Sequence, residues 1–102
     1  MSRVMSRLAG KVAIVMEGGS GFGIGIVEKF IQEGAQLLIL DVNVEGGEKV
    51  AAATGSKFLR GDVSQDVDWR NALKTVLAQF GKLDIVVNNA GIIILKVNPC
   101  IS

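Results

Sequence analysis

A chain of 102 residues with a formal net charge of +1 is long enough for one small domain, and no basic excess favours nucleic acid or an acidic membrane surface. It is 49% apolar but only 5% aromatic, with no Tyr and no His; its one cysteine, Cys100, excludes an internal disulfide and suits a reducing compartment. No apolar run reaches bilayer length and residues 1–10 lack the apolar core of a signal peptide, so the expectation is a cytoplasmic protein with no membrane partner, no nucleic-acid partner and no metal site.

The whole chain, residues 1–102, reads as a single partial domain. Residues 1–10 form a loose N-terminal arm. Residues 12–15 (VAIV) are an apolar run without polar alternation, the pattern of a central parallel strand buried on both faces. Gly18, Gly19, Gly21, Gly23 and Gly25 crowd the turn that follows, where missing Cβ atoms let backbone approach a ligand closely. The next helix begins there and offers orphan N–H groups and a positive dipole end to an anion. Ile24, Val27, Phe30 and Ile31 recur at helical spacing, and Gly34 ends the helix. Residues 36–40 (QLLIL) are a second buried strand closed by Asp41, and residues 44–53 a second helix weakened at its start by Gly46 and Gly47. Residues 57–59 make a short third strand running into Gly61, Asp62 and Val63.

Ser64 reads as the N-cap of a long third helix, with Asp66 and Asp68 in its first turns to suit the dipole and Gly81 after its end. Trp69, Leu73, Val76, Leu77 and Phe80 form its apolar stripe, so the two aromatic residues are assigned to packing. Residues 83–87 (LDIVV) are a fourth strand, followed by Asn88, Asn89, Ala90 and Gly91. Residues 92–102, apolar and then broken by Pro99, receive no assignment.

Strict alternation of strand and helix argues for parallel βαβ units, an α/β fold, and half of a doubly wound sheet. Ligands of such sheets bind beyond the carboxyl ends of the strands. The glycine turn is placed to hold a pyrophosphate. Asp41 ends the second strand some twenty residues later, where its carboxylate accepts from both ribose hydroxyls and repels a 2′-phosphate, favouring NAD over NADP. Asp62 and Val63 would hold an adenine amino group and ring. Asn89, Ala90 and Gly91 would let a nucleoside lie against backbone.

The set GGSGFG, LILD, GDVS and NNAG, in this order and spacing, resembles the N-terminal half of the short-chain dehydrogenases/reductases. The resemblance implies a Rossmann-type three-layer αβα sandwich, with four parallel strands in the order 3-2-1-4, that binds NAD or NADP and moves a hydride between cofactor and a carbonyl or alcohol. It implies cofactor contacts at Gly18, Gly19, Ser20, Gly21, Phe22, Gly23, Asp41, Asp62, Val63, Asn89, Ala90 and Gly91. Gly21 and Gly23 match the second and third glycines of the family's TGxxxGxG turn.

The chain departs from that family in two places. An ungapped match puts Met16 at the family's Thr and Glu17 at its first glycine; a slipped register from Gly19 to Gly25 restores GxxxGxG but displaces the loop by two residues against both strand and helix. The ungapped register fits the flanking elements. It sets Glu17 beside a pyrophosphate, where like charges at about 5 Å and an effective dielectric near 20 repel by roughly 3 kcal/mol. If the position also needs positive φ, a side chain there adds roughly 1 kcal/mol. The second departure concerns catalysis: the family's Tyr, its YxxxK lysine and its Ser have no counterpart, since there is no Tyr and the sequence runs only 11 residues beyond Gly91. No catalytic residue is assigned. The expectation is the cofactor-binding half of an NAD-dependent oxidoreductase, inactive alone, whose exposed fourth strand invites self-association. The alternative is a non-enzymatic nucleotide-binding module, or a ligand-free remnant acting by protein interaction.

Overall fold

The computed structural model describes residues 7–19, 21–88 and 91–97, the last stretch and Phe22 by their backbone alone. Ser20, Asn89, Ala90, Pro99 and Cys100 lie outside the described residues. The elements run β1 (Val12–Met16), α1 (Gly21–Gln32), β2 (Gln36–Asp41), α2 (Val44–Thr54), β3 (Lys57–Arg60), α3 (Asp66–Phe80), β4 (Leu83–Asn88) and β5 (Gly91–Val97). The sheet order is β3-β2-β1-β4-β5. β1 pairs in parallel with β2 and β4, and β2 with β3, as the alternating pattern requires.

Burial explains why β1 and β2 carry no polar alternation. One face of the sheet presents Val12, Ile14, Leu38, Leu40, Leu83 and Val86 to Ala72 and Val76 of α3, with Trp69 and Phe80 packed at the margin. The other presents Ala13, Val15, Leu37, Ile39, Ile85 and Val87 to Val27 of α1 and Val50 of α2. Successive residues of a strand point to opposite faces, so a strand covered on both sides must be apolar throughout. The result is three layers, α1 and α2 on one side and α3 on the other.

Four details differ from the sequence reading. Residues 7–10 are not a loose arm: Leu8 donates its N–H to the Glu33 carbonyl (2.8 Å) and packs on the α1–α2 side of the core. Ser64 does not cap α3. Its N–H (2.9 Å) and hydroxyl (2.7 Å) both donate to Asp62 Oδ1, so the helix begins after Gln65, which caps it without a side-chain hydrogen bond. An acceptor two residues upstream captured the hydroxyl before the helix could. The residues read as a weak start to α2 have a packing role instead. A Cβ on Gly46 would meet the Gly19 carbonyl (2.5 Å), and one on Gly47 would overlap the Phe58 ring. The helix is capped by Asn43, whose Oδ1 accepts from Gly46 N–H (3.0 Å).

The fourth difference lies past β4, in the segment without an assignment. It forms β5, antiparallel to β4, with Asn88 opposite Gly91. β4 is therefore paired on both sides, so the bare fourth-strand edge expected from the sequence is covered by β5.

At the amino ends of the strands, the buried Asp84 carboxylate accepts from Val12 N–H (2.9 Å) and faces Lys82 Nζ (3.3 Å). It ties β4 to the start of β1.

Candidate functional site

Parallel strands end together, and the turns after β1, β2 and β3 meet at one edge of the sheet. The register pairs Met16 with Leu40 and Asp41 with Arg60. Backbone pairing persists one step beyond each strand: Glu17 N–H donates to the Leu40 carbonyl (2.7 Å) and Gly61 N–H to the Asp41 carbonyl (3.1 Å). These bonds hold the turns at fixed height above the sheet.

The turn after β1 is held by close contacts. Gly18 is buried, and a Cβ there would press on Val27 and Ile39 at 3.0 and 3.2 Å. A Cβ on Gly19 would meet Gly47 N at 2.7 Å and Asp41 Oδ2 at 2.9 Å. A Cβ on Gly23 would overlap the Glu17 carbonyl oxygen. Glu17 itself has φ 62°, the one non-glycine residue with positive φ among the described residues. The backbone thus demands the left-handed region at position 17 and room at position 23, the pattern of the ungapped register. Gly21 opens α1, whose first turn carries no acidic residue.

Asp41 connects this turn to β2. Its side chain is buried (5% exposed), with Oδ2 accepting from Gly19 N–H and Oδ1 from Asn43 N–H, both at 3.0 Å. A carboxylate offers about four lone-pair sites, so two donors do not exhaust its acceptor capacity. Asp41 also lines a cavity of about 80 Å³, together with Glu17, Val42, Gly61, Asp62 and Val63. Val42 and Val63 are 54% and 38% exposed, two apolar side chains beside carboxylates.

Of the residues singled out in the sequence, the structure brings Asp41, Asp62 and Val63 around this cavity. Gly18, Gly19, Gly21 and Gly23 form the adjoining turn, and Gly91 sits at the far end of β4 in the hairpin with β5. The sequence reading missed Val42 and Gly61 as cavity-lining residues; their only signal was adjacency to Asp41 and Asp62. Asp62 Oδ1 receives both Ser64 donors, while its own N–H donates to Asp68 Oδ2 (2.9 Å). The Ser64 hydroxyl and then its N–H, aided by Arg60, hold the Asp62 carboxyl below its ordinary range against a smaller opposing effect of burial.

A larger cavity, about 290 Å³, lies at the opposite end of the sheet between Ile31, Gln36, Thr54, Lys57 and Phe80. There α1, α2 and α3 end, and helix carboxyl termini present carbonyl oxygens that repel anions. Among the described residues, no cluster of three or more His, Cys, Asp or Glu could hold a metal, and no helix is long and apolar enough to cross a membrane.

The family model described as short chain dehydrogenase matches residues 11–101. The chain belongs to the short chain dehydrogenase family. It is 42% identical over 91 residues to a 3-beta-hydroxysteroid dehydrogenase of Comamonas testosteroni, covering 87% of this chain and 36% of that protein. It is 40% identical over 94 residues to an NADP-dependent (R)-specific alcohol dehydrogenase of Lentilactobacillus kefiri, covering 88% and 37%. Among solved structures it is similar to a 3-ketoacyl-(acyl-carrier-protein) reductase from Brucella melitensis complexed with NADH, at 37% identity and TM-score 0.75 over 78% of this chain and 33% of that one. The chain thus spans about a third of the length of the curated relatives it matches.

The residues that line the smaller cavity fit the adenosine side of a nicotinamide dinucleotide. Asp41 has acceptor capacity left for ribose hydroxyls, and Val42 and Val63 offer apolar walls to a base. At the phosphate side the glycine turn and the α1 amino terminus fit an anion, while Glu17 opposes one.

Proposed function

We propose that the site at the carboxyl ends of β1, β2 and β3 binds NAD, and that the chain is the cofactor-binding half of an oxidoreductase acting on a carbonyl/alcohol pair. The observation that carries this reading is Asp41, a buried carboxylate that accepts from Gly19 N–H in the glycine turn and is among the residues that line the cavity. The ribose would lie against Asp41, the adenine against Val42, Val63 and Asp62, and the diphosphate over Gly18, Gly19, Ser20, Gly21, Phe22 and Gly23. Asn89, Ala90 and Gly91 would flank the nucleoside on the β4 side. When bound, the nicotinamide supplies or accepts a hydride.

Asp41 favours NAD because a 2′-phosphate would bring about two negative charges against a buried carboxylate, a repulsion worth tenfold or more in affinity. Calorimetric titration of NAD and NADP tests this, with Asp41→Ala beside the native chain. The expected result is weaker binding of NADP than of NAD, and a ratio that narrows in the variant. Equal affinities in the native chain would refute the preference, and silence toward NAD from a folded Glu17→Gly variant would refute the site.

The 102-residue chain contains no Tyr to act as the family's acid/base, and turnover by this polypeptide alone is not expected. A cofactor-dependent rate from the rigorously purified chain would overturn that. In the alternative reading the same site serves a nucleotide-binding module without chemistry.

A further inference from the structure

We infer that this site takes an uncharged nucleoside such as adenosine at least as well as the corresponding diphosphate, because Glu17 reverses the sign of the charge that phosphate meets at the turn. The inference rests on the cofactor reading above and narrows its ligand class.

The phosphate end and the nucleoside end of the site differ in their electrostatics. The amino terminus of α1 acts as roughly half a positive charge. Glu17, at the turn leading into that helix, carries a full negative one. Its side chain is exposed, it joins no ion pair among the described residues, and it shares the cavity wall with Asp41 and Asp62. No basic side chain is among the described residues that line this cavity. Arg60, on the neighbouring strand, acts on Asp62. A negatively charged group that enters this cavity therefore meets three carboxylates and no basic side chain among the described residues that line it.

Nothing in this opposes a neutral nucleoside. Its ribose hydroxyls donate to Asp41, its exocyclic amine to Asp62, and its ring lies against Val42 and Val63. Carboxylates that repel phosphate are good acceptors for hydroxyl and amino donors. Two unit charges about 5 Å apart at an effective dielectric near 20 shift affinity on the order of a hundredfold, enough to cancel what a helix terminus and backbone N–H groups contribute. Removing the charge without altering the backbone requirement isolates this effect, and Glu17→Gln does so.

The experiment is a set of parallel amide-shift titrations by nuclear magnetic resonance with adenosine and ADP, on the native chain and on Glu17→Gln. In the native chain ADP is expected to bind no more tightly than adenosine. In Glu17→Gln, ADP should gain tenfold to a hundredfold while adenosine changes by less than about threefold. Should Glu17→Gln fold poorly, Glu17→Gly removes the same charge together with the backbone strain, and both variants are checked for native circular dichroism. ADP binding the native chain tenfold more tightly than adenosine, with an unchanged ratio in the variant, would overturn the inference and leave the cofactor reading standing. Binding of ADP but not of adenosine to the folded proteins would overturn this inference alone, and silence from both ligands in every folded protein would overturn the cofactor reading with it.

Discussion

Glu17→Gly should make the chain more stable, although it removes a side chain and adds a glycine. Position 17 has φ 62°. A residue with a Cβ in that region loses about 1–2 kcal/mol relative to its preferred conformations. Glycine avoids this cost but has more freedom in the unfolded chain, which returns about 0.5–1 kcal/mol. The net gain lies within about 0–1.5 kcal/mol, centred near about 0.75, and at about 4–8 °C per kcal/mol for a domain of this size the central value raises the midpoint by about 3–6 °C. Thermal unfolding followed by circular dichroism measures it. Glu17→Gln separates the causes, since it removes the charge next to Asp41 and Asp62 but keeps the strain. If strain dominates, Glu17→Gly melts above Glu17→Gln. A Glu17→Gly midpoint at or below the native one would refute the conformational argument, and equal gains in both variants would assign the effect to charge.

Three further outcomes follow from the packing. Gly47→Ala should cost about 1–3 kcal/mol, because its Cβ would overlap the Phe58 ring, whereas Gly25→Ala in α1 meets nothing within 4 Å and should gain about 0.5–1 kcal/mol; denaturant midpoints compare them. Asp84→Ala should cost about 1–3 kcal/mol by leaving the Val12 N–H buried without its acceptor, with Asp84→Asn losing less. Burial pushes the Asp84 carboxyl up, but the Val12 N–H, Lys82 and Lys11 outweigh it and hold the group below its ordinary 3.8. A lowered folded value means that the unfolded chain binds the proton more readily, so the stabilisation is complete above about pH 4–5 and fades as pH falls through the folded value. Unfolding midpoints measured from pH 6 to pH 2 should therefore fall less steeply in Asp84→Asn than in the native chain.

The parallel sheet was legible in the sequence because burial on two faces leaves a direct mark: VAIV and, after the exposed Gln36, LLIL have no polar position. The turn was legible for a similar reason, since the ungapped spacing put Glu17 where the backbone does take positive φ. Less visible were features decided by competition between neighbours. Ser64 had the chemistry of a cap, yet Asp62 lay two residues away and took both donors. Gly46 and Gly47 looked like a propensity defect in α2, because the Gly19 carbonyl and the Phe58 ring that need the space come from distant parts of the chain. Val42 had no pattern of its own and gained meaning only when β2 and β3 ended side by side. The hairpin pairing of β5 with β4 depends on a partner strand that local periodicity does not identify.

In the proposed function a nicotinamide dinucleotide binds at the carboxyl ends of β1, β2 and β3, although a larger cavity lies at the other end of the sheet. The most direct test is amide-shift mapping of NADH on the isotope-labelled Glu17→Gly chain. Saturable shifts at Gly18, Gly19, Asp41, Asp62 and Val63, with Gln36, Thr54 and Lys57 unmoved, are the predicted result; shifts confined to Gln36, Thr54 and Lys57 would contradict it.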